Sequence, residues 1–183
     1  MKAFQQSIAK PSSSTGFSLM ELLLVIGISS LLVAMLLPSL NSMRAKAKGI
    51  SCMNNLRQIH CALRMHADEN EGKLPVIEAM PSMPTIPDAP LKSMSEALAS
   101  YINHSTQVFR CPQDQNGRFL HEGTSYEWNS TVSNRGMDGI QFGLITLPPT
   151  MVILCWDFDN VHTGSGGSSK KNYLFADGHT AGE

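Results

Sequence analysis

The chain has 183 residues, a length that suits one modest globular head plus appendages. Fourteen Lys and Arg side chains stand against fifteen Asp and Glu, so no summed field holds a polyanion across the surface and no nucleic-acid partner is expected. The hydrophobic share of 42% is ordinary, but it is placed unevenly: from Leu22 to Leu37 there is no charged residue.

The first sixteen residues, MKAFQQSIAKPSSSTG, carry Lys2 and Lys10, no acid, a proline and a serine run. Such a segment has little capacity for a stable helix and reads as a disposable polar leader. The next 24 residues, FSLMELLLVIGISSLLVAMLLPSL, would reach about 36 Å as a helix, enough to cross a hydrocarbon core of about 30 Å. Glu21 is the anomaly in this run. A carboxylate in an apolar helix costs roughly 2.5 to 3.5 kcal/mol at mid-bilayer and less near the interface, so it is expected to have a partner and a task.

Gly16, Phe17 and Glu21 together resemble the signature of the type IV pilin and pseudopilin family: a basic leader ending in glycine, a cleavage point, a methylated residue that is commonly phenylalanine, and a glutamate four residues on. Pro38 stands where pilins commonly carry a helix-loosening proline. The resemblance implies leader removal between Gly16 and Phe17, N-methylation of Phe17, and assembly through Glu21 into a fibre. It also implies partners: a prepilin peptidase that cleaves and methylates, other pilin or pseudopilin subunits, an inner-membrane assembly platform and an ATPase.

The physical chemistry of the segment agrees. A new ammonium on Phe17 could pair with the Glu21 carboxylate of a neighbouring subunit and compensate a charge that lipid disfavours. Pro38 lacks an amide hydrogen and clashes with the preceding turn, so it is expected to kink or locally melt the helix. Two plainer readings compete: a secretory signal cut near Ala45 and Ala47, and an unprocessed single-pass anchor. The charge count also runs against a head outside the cytoplasm, because Arg44, Lys46 and Lys48 after the apolar run outnumber Lys2 and Lys10 before it.

Beyond Pro38, the apolar residues Met43, Ala47, Ile50, Met53, Leu56, Ile59 and Leu63 step by three or four, which predicts an amphipathic continuation docked on the head. One helix of about 52 residues, close to 78 Å long, is expected from Phe17 to about Asp68. The run DENEGKLP supplies its stop, with Gly72 as breaker and Pro75 barring resumption; a calcium loop there lacks a full ligand set. The stretch from Cys52 to Pro75 also resembles a subgroup of pilin-like proteins with a processing-associated C-terminal module.

Five prolines between Pro75 and Pro90 predict an irregular crossing segment. Leu91 to Tyr101 predicts a short helix with Met94, Leu98 and Tyr101 on one face, and Cys111 then sits before a proline turn. Of the four cysteines, Cys52 and Cys111 are the preferred bridge, one that would tie the long helix to the head and contribute roughly 2 to 4 kcal/mol. The plainer reading keeps all four, Cys61 and Cys155 included, as small buried residues.

Met151 to Trp156 and Asn172 to Ala176 read as strands of a small antiparallel sheet, paired as a hairpin near the C-terminus around a glycine-serine loop. His162 with Asp177 and Gly178 resembles the subgroup's module of a histidine some nine residues before Asp-Gly, although fourteen residues intervene here.

Asp157, Asp159, Asn160 and Asp177 are oxygen ligands of the kind calcium takes, and the resemblance to secretion pseudopilins implies such an ion in the C-terminal loop; turn capping by the same acids is the plainer reading. His162 and His179 could add a zinc or hydrolytic site, but no HExxH, GxSxG or phosphate-loop motif accompanies them. His60 and His66 are six apart and fall on different helix faces.

The expectation is an α+β, pilin-like fold: a long N-terminal helix, half transmembrane, packed on a small antiparallel β-sheet head. Its parts are a leader (1–16), a membrane and polymerisation helix (17–40), an amphipathic continuation (41–71) and a periplasmic head (72–183). The chain is expected to be a structural subunit and not an enzyme, single-pass in the bacterial inner membrane with its leader in the cytoplasm, and then part of a secretion or pilus-like fibre. The alternatives are an adhesive or DNA-uptake pilin, and a membrane-anchored exported domain with a metal or hydrolytic site.

Overall fold

A computed structural model describes residues 16–79, 82, 92–159, 162–163 and 169–182. The leader before Gly16, most of the proline-rich stretch, Asn160 and the centre of the glycine-serine loop lie outside the described residues. The chain is α+β: one long N-terminal helix and a head built on a small antiparallel sheet. It divides into two compact units, the first ending at Asn41 and the second beginning at Ser42.

Helix α1 runs from Leu19 to Glu69, 51 residues, and includes Pro38 within its span. In the first unit α1 is long and apolar enough to cross a membrane, and none of its residues is buried. The hydroxyls of Ser29 and Ser30 donate to the carbonyls of Val25 and Ile26, at 2.8 and 2.7 Å, so these two polar groups are satisfied within the helix.

In the second unit, α1 buries Cys52, Leu56, Ile59, Ala62, Leu63 and Ala67, a repeat of three and four that aims one face at the core. The stripe predicted further back is corrected here. Met43 and Ile50 are 63% and 60% exposed, and Ala47 is exposed as well. The side covered by the head passes instead through half-buried Ala45 and Gly49, roughly opposite on the helix. A spacing rule that accepts either three or four lets a stripe drift around the axis, and that drift joined two different faces. The helix closes where the Gly72 N–H reaches back to the Ala67 carbonyl at 2.8 Å, with Gly72 at φ +76°.

Short helices α2 (Met94–Ala97) and α3 (Arg118–Glu122) lie on the head. Ser93 and Glu96 form a reciprocal cap on α2, and Met94 and Leu98 are buried as predicted for this segment. The strands are β1 (Tyr126–Trp128), β2 (Ile140–Phe142), β3 (Ile145–Leu147), β4 (Ile153–Asp157), β5 (His162–Thr163), β6 (Ser169–Lys170), β7 (Asn172–Phe175) and β8 (Thr180–Gly182). The main sheet has the order β1-β4-β7-β8, all antiparallel; β2 with β3, and β5 with β6, form separate two-stranded ribbons. The expected C-terminal pair is β4 and β7, with Cys155 opposite Leu174 and Trp156 opposite Tyr173. Trp128, Tyr126, Phe109, Leu154 and Leu174 meet the buried face of α1 in one core.

Candidate functional site

The feature that most needs an explanation is the first part of α1. Phe17 is 83% exposed, and the thirteen large aliphatic side chains from Leu22 to Leu40 are each 43 to 68% exposed. Burying an aliphatic side chain is worth about 1.5 to 3 kcal/mol, so leaving this set in water would cost on the order of 10 to 20 kcal/mol. Surface of that extent marks a membrane or interaction site.

Gly16 to Ser18 have no regular structure, and α1 begins at Leu19. Ser18 accepts the first helical bonds through its carbonyl, from Glu21 N–H at 3.0 Å and Leu22 N–H at 3.2 Å. Glu21 answers by accepting the Ser18 N–H on Oε2 at 2.9 Å. One otherwise orphaned donor of the helix start is thereby satisfied, and the carboxylate lies at the positive end of the helix dipole. The glutamate therefore has a role within its own helix, one that the spacing Ser-x-x-Glu announces.

The head is tied to α1 by specific polar contacts. Cys52 and Cys111, both buried, are joined in a disulfide spanning 59 residues. Around it, Asn55 Nδ2 donates to the Arg110 carbonyl at 2.9 Å, and Gln113 Nε2 donates to the Ala45 carbonyl at 3.4 Å. Further along, Arg64 pairs with Asp138 and Tyr101 Oη donates to Glu69 at 2.7 Å. Cys61 is exposed and Cys155 buried; burial pushes the Cys155 thiol well above its ordinary range, with Asp157 adding to the shift, so the thiol stays neutral.

The turn between β7 and β8 sits directly on α1. His60 Nε2 lies 3.1 Å from the Ala176 carbonyl, and a Cβ on Gly178, at φ +92°, would come within 2.8 Å of the His60 ring. His179 stacks on Phe175 with ring centres 4.1 Å apart, and its Nδ1 is 2.6 Å from Asp177. Sequence reasoning set His60 aside as a solvated or packing residue; its contact lies more than a hundred residues away and carries no local signal.

The oxygen ligands expected to hold calcium are engaged separately. Buried Asp157 accepts the Asn172 N–H at 2.7 Å, Asp159 accepts from Asn116 Nδ2 at 2.7 Å, and Asp177 accepts the His179 N–H at 3.1 Å. Asn160 lies outside the described residues. Among the described residues, the one grouping of potential ligands is Cys52, Cys111 and Asp157, and its two sulfurs are used by the disulfide.

A carboxylate that sequence reasoning missed, Asp114, joins the head's segments. It accepts the Phe119 N–H at 2.8 Å, the Arg118 N–H at 3.1 Å and the Ser125 hydroxyl at 2.7 Å. Burial alone would lift its pKa, but these donors outweigh burial and hold the carboxyl below its usual range.

Comparison with protein families, with characterised proteins and with solved structures finds no match.

Proposed function

We propose that this chain is a structural subunit of a pilin-like fibre, a pseudopilin of a type II secretion or type IV pilus-like system. A prepilin peptidase would remove the leader between Gly16 and Phe17 and methylate Phe17. The observation that carries the reading is the pairing of the signature residues Gly16, Phe17 and Glu21 with a helix whose first part is apolar on every side and whose second part anchors a small sheet.

The chemistry is done to this chain and not by it. Before assembly the subunit rests in the bacterial inner membrane, where lipid covers the side chains from Leu22 to Leu40 and the Ser18 N–H partners Glu21. On assembly, driven by a platform protein and an ATPase, the helices of neighbouring subunits replace lipid. Lipid tails are as apolar as leucine, so close packing and polar pairs, not the hydrophobic effect, decide that exchange. The Phe17 ammonium of one subunit beside Glu21 of another supplies such a pair. The head, on the periplasmic side, then forms the fibre's surface.

The test is Glu21→Val in the full chain, expressed with its assembly system and assayed in sheared fibres. Incorporation is expected to fall at least tenfold while the protein stays in the membrane fraction. Undiminished incorporation would overturn the assembly role.

A further inference from the structure

The stretch of α1 just past the apolar run carries a second, unassigned feature. Between Glu21 and Asp68 the chain has no acidic residue, yet Arg44, Lys46 and Lys48 fall within one turn and a half of helix. All three are exposed, and none has a hydrogen-bond or ion-pair partner among the described residues. The head covers the other side of this stretch, through half-buried Ala45 and Gly49 and the Gln113 contact. Exposed Met43, Ala47 and Ile50 form the strip left open, with Arg44 and Lys48 on one flank and Lys46 on the other.

The position along the helix says what covers this strip. If Leu22 marks one edge of a hydrocarbon core about 30 Å thick, twenty residues at 1.5 Å reach Asn41. The three bases then fall about 4 to 10 Å beyond the far edge, from within a headgroup layer about 5 to 8 Å deep to just outside it, where long cationic side chains reach phosphate while Met43 stays near the acyl boundary. Three cations without a partner among the described residues of the chain match an anionic lipid surface, and a zwitterionic one offers them no net charge.

We infer that Arg44, Lys46 and Lys48 form a collar that binds the headgroups of anionic phospholipids on the face of the membrane where the head lies. The collar holds the subunit at a fixed depth and sets which lipid surrounds it before assembly. It also gives these bases a use at a place where the usual charge bias would not put them. The inference rests on the membrane-spanning part of the proposed function and is independent of cleavage and fibre formation.

The full chain is reconstituted into vesicles of equal phosphatidylcholine and phosphatidylglycerol, checked for resistance to alkaline extraction, released in mild nonionic detergent, and its retained lipid weighed by mass spectrometry. Phosphatidylglycerol is expected to be enriched at least about fivefold at low ionic strength, the worth of one base at an anionic surface, and the enrichment to shrink in high salt. The variant Arg44→Gln/Lys46→Gln/Lys48→Gln is expected to insert equally well and retain both lipids at parity, whereas Lys46→Arg/Lys48→Arg keeps the preference. Insertion with no preference, the result if the collar serves an acidic protein face, would overturn the collar alone, as would a preference that survives in the triple variant. Failure to insert at all would overturn both the collar and the span beneath it.

Discussion

Residues 22–40 and 52–67 belong to one helix and are equally apolar at the positions that matter, yet they meet different surroundings. Leu56, Ile59 and Leu63 are fully buried against Trp128, Tyr126 and Leu174, whereas every large aliphatic residue between Leu22 and Leu40 is exposed. The second stretch has its partner encoded in the same chain, fixed by a disulfide and by hydrogen bonds from Asn55 and His60. The first has none among the described residues of its unit, and under the proposed function lipid and neighbouring subunits would take that place. One helix thus carries a stretch whose interface is already formed and a stretch whose apolar surface is open.

The sharpest way to break that contrast is to make the same truncation in both stretches. Leu56→Ala leaves a cavity in a packed core and is expected to lower the head's stability by about 2 to 5 kcal/mol. Leu31→Ala removes the same atoms from an exposed position and is expected to change it by less than about 0.5 kcal/mol. Denaturant titration of the detergent-solubilised chain, followed through the fluorescence of Trp128 and Trp156, reads both; equal losses would contradict the division.

A second prediction concerns the turn that rests on α1. Gly178→Ala places a methyl group against the His60 ring at a backbone angle side chains rarely adopt, and a loss of about 1 to 3 kcal/mol is expected. Adding His60→Ala should relieve the steric part and leave only the backbone part, so the two changes are expected to be non-additive.

The smallest effect is a pH dependence. The Asp114 carboxyl titrates below its ordinary value in the folded head, so the unfolded chain binds the proton more readily. Its contribution is therefore fully present above the ordinary carboxylate range, near pH 4, and is lost as pH falls through the lower folded value. Asp114→Asn should cost about 1 kcal/mol at neutral pH and flatten the acid limb of the stability curve.

The long helix, its stop at Gly72 and the β4–β7 pair were legible in the sequence because each has a strong local signal: an uncharged apolar run, a breaker, a cluster of β-formers. The Ser18–Glu21 cap was equally legible from spacing, although its glutamate drew attention for another reason. The docked face of α1 was not, since Met43 and Ile50 are as apolar as Leu56, and only the head decides which side is covered. The three-residue strands β1, β2, β3 and β8 are too short to show a period, and they are held by neighbours. The Asp-Gly turn at Gly178 was legible as a turn, but its packing on His60 and the bonds of Asp114 depend on contacts between distant or differently structured segments. The acids grouped in sequence as calcium ligands, Asp157, Asp159 and Asp177, accept from three different donors, Asn172, Asn116 and His179, which their sequence spacing does not reveal.

The most direct test of the central claim is the mass of the N-terminal peptide of the protein recovered from membranes that contain a prepilin peptidase. The account predicts a chain that starts at Phe17 and carries one N-methyl group. A chain still starting at Met1, or one cut near Ala45 and Ala47, would contradict it and leave an anchored or secreted domain.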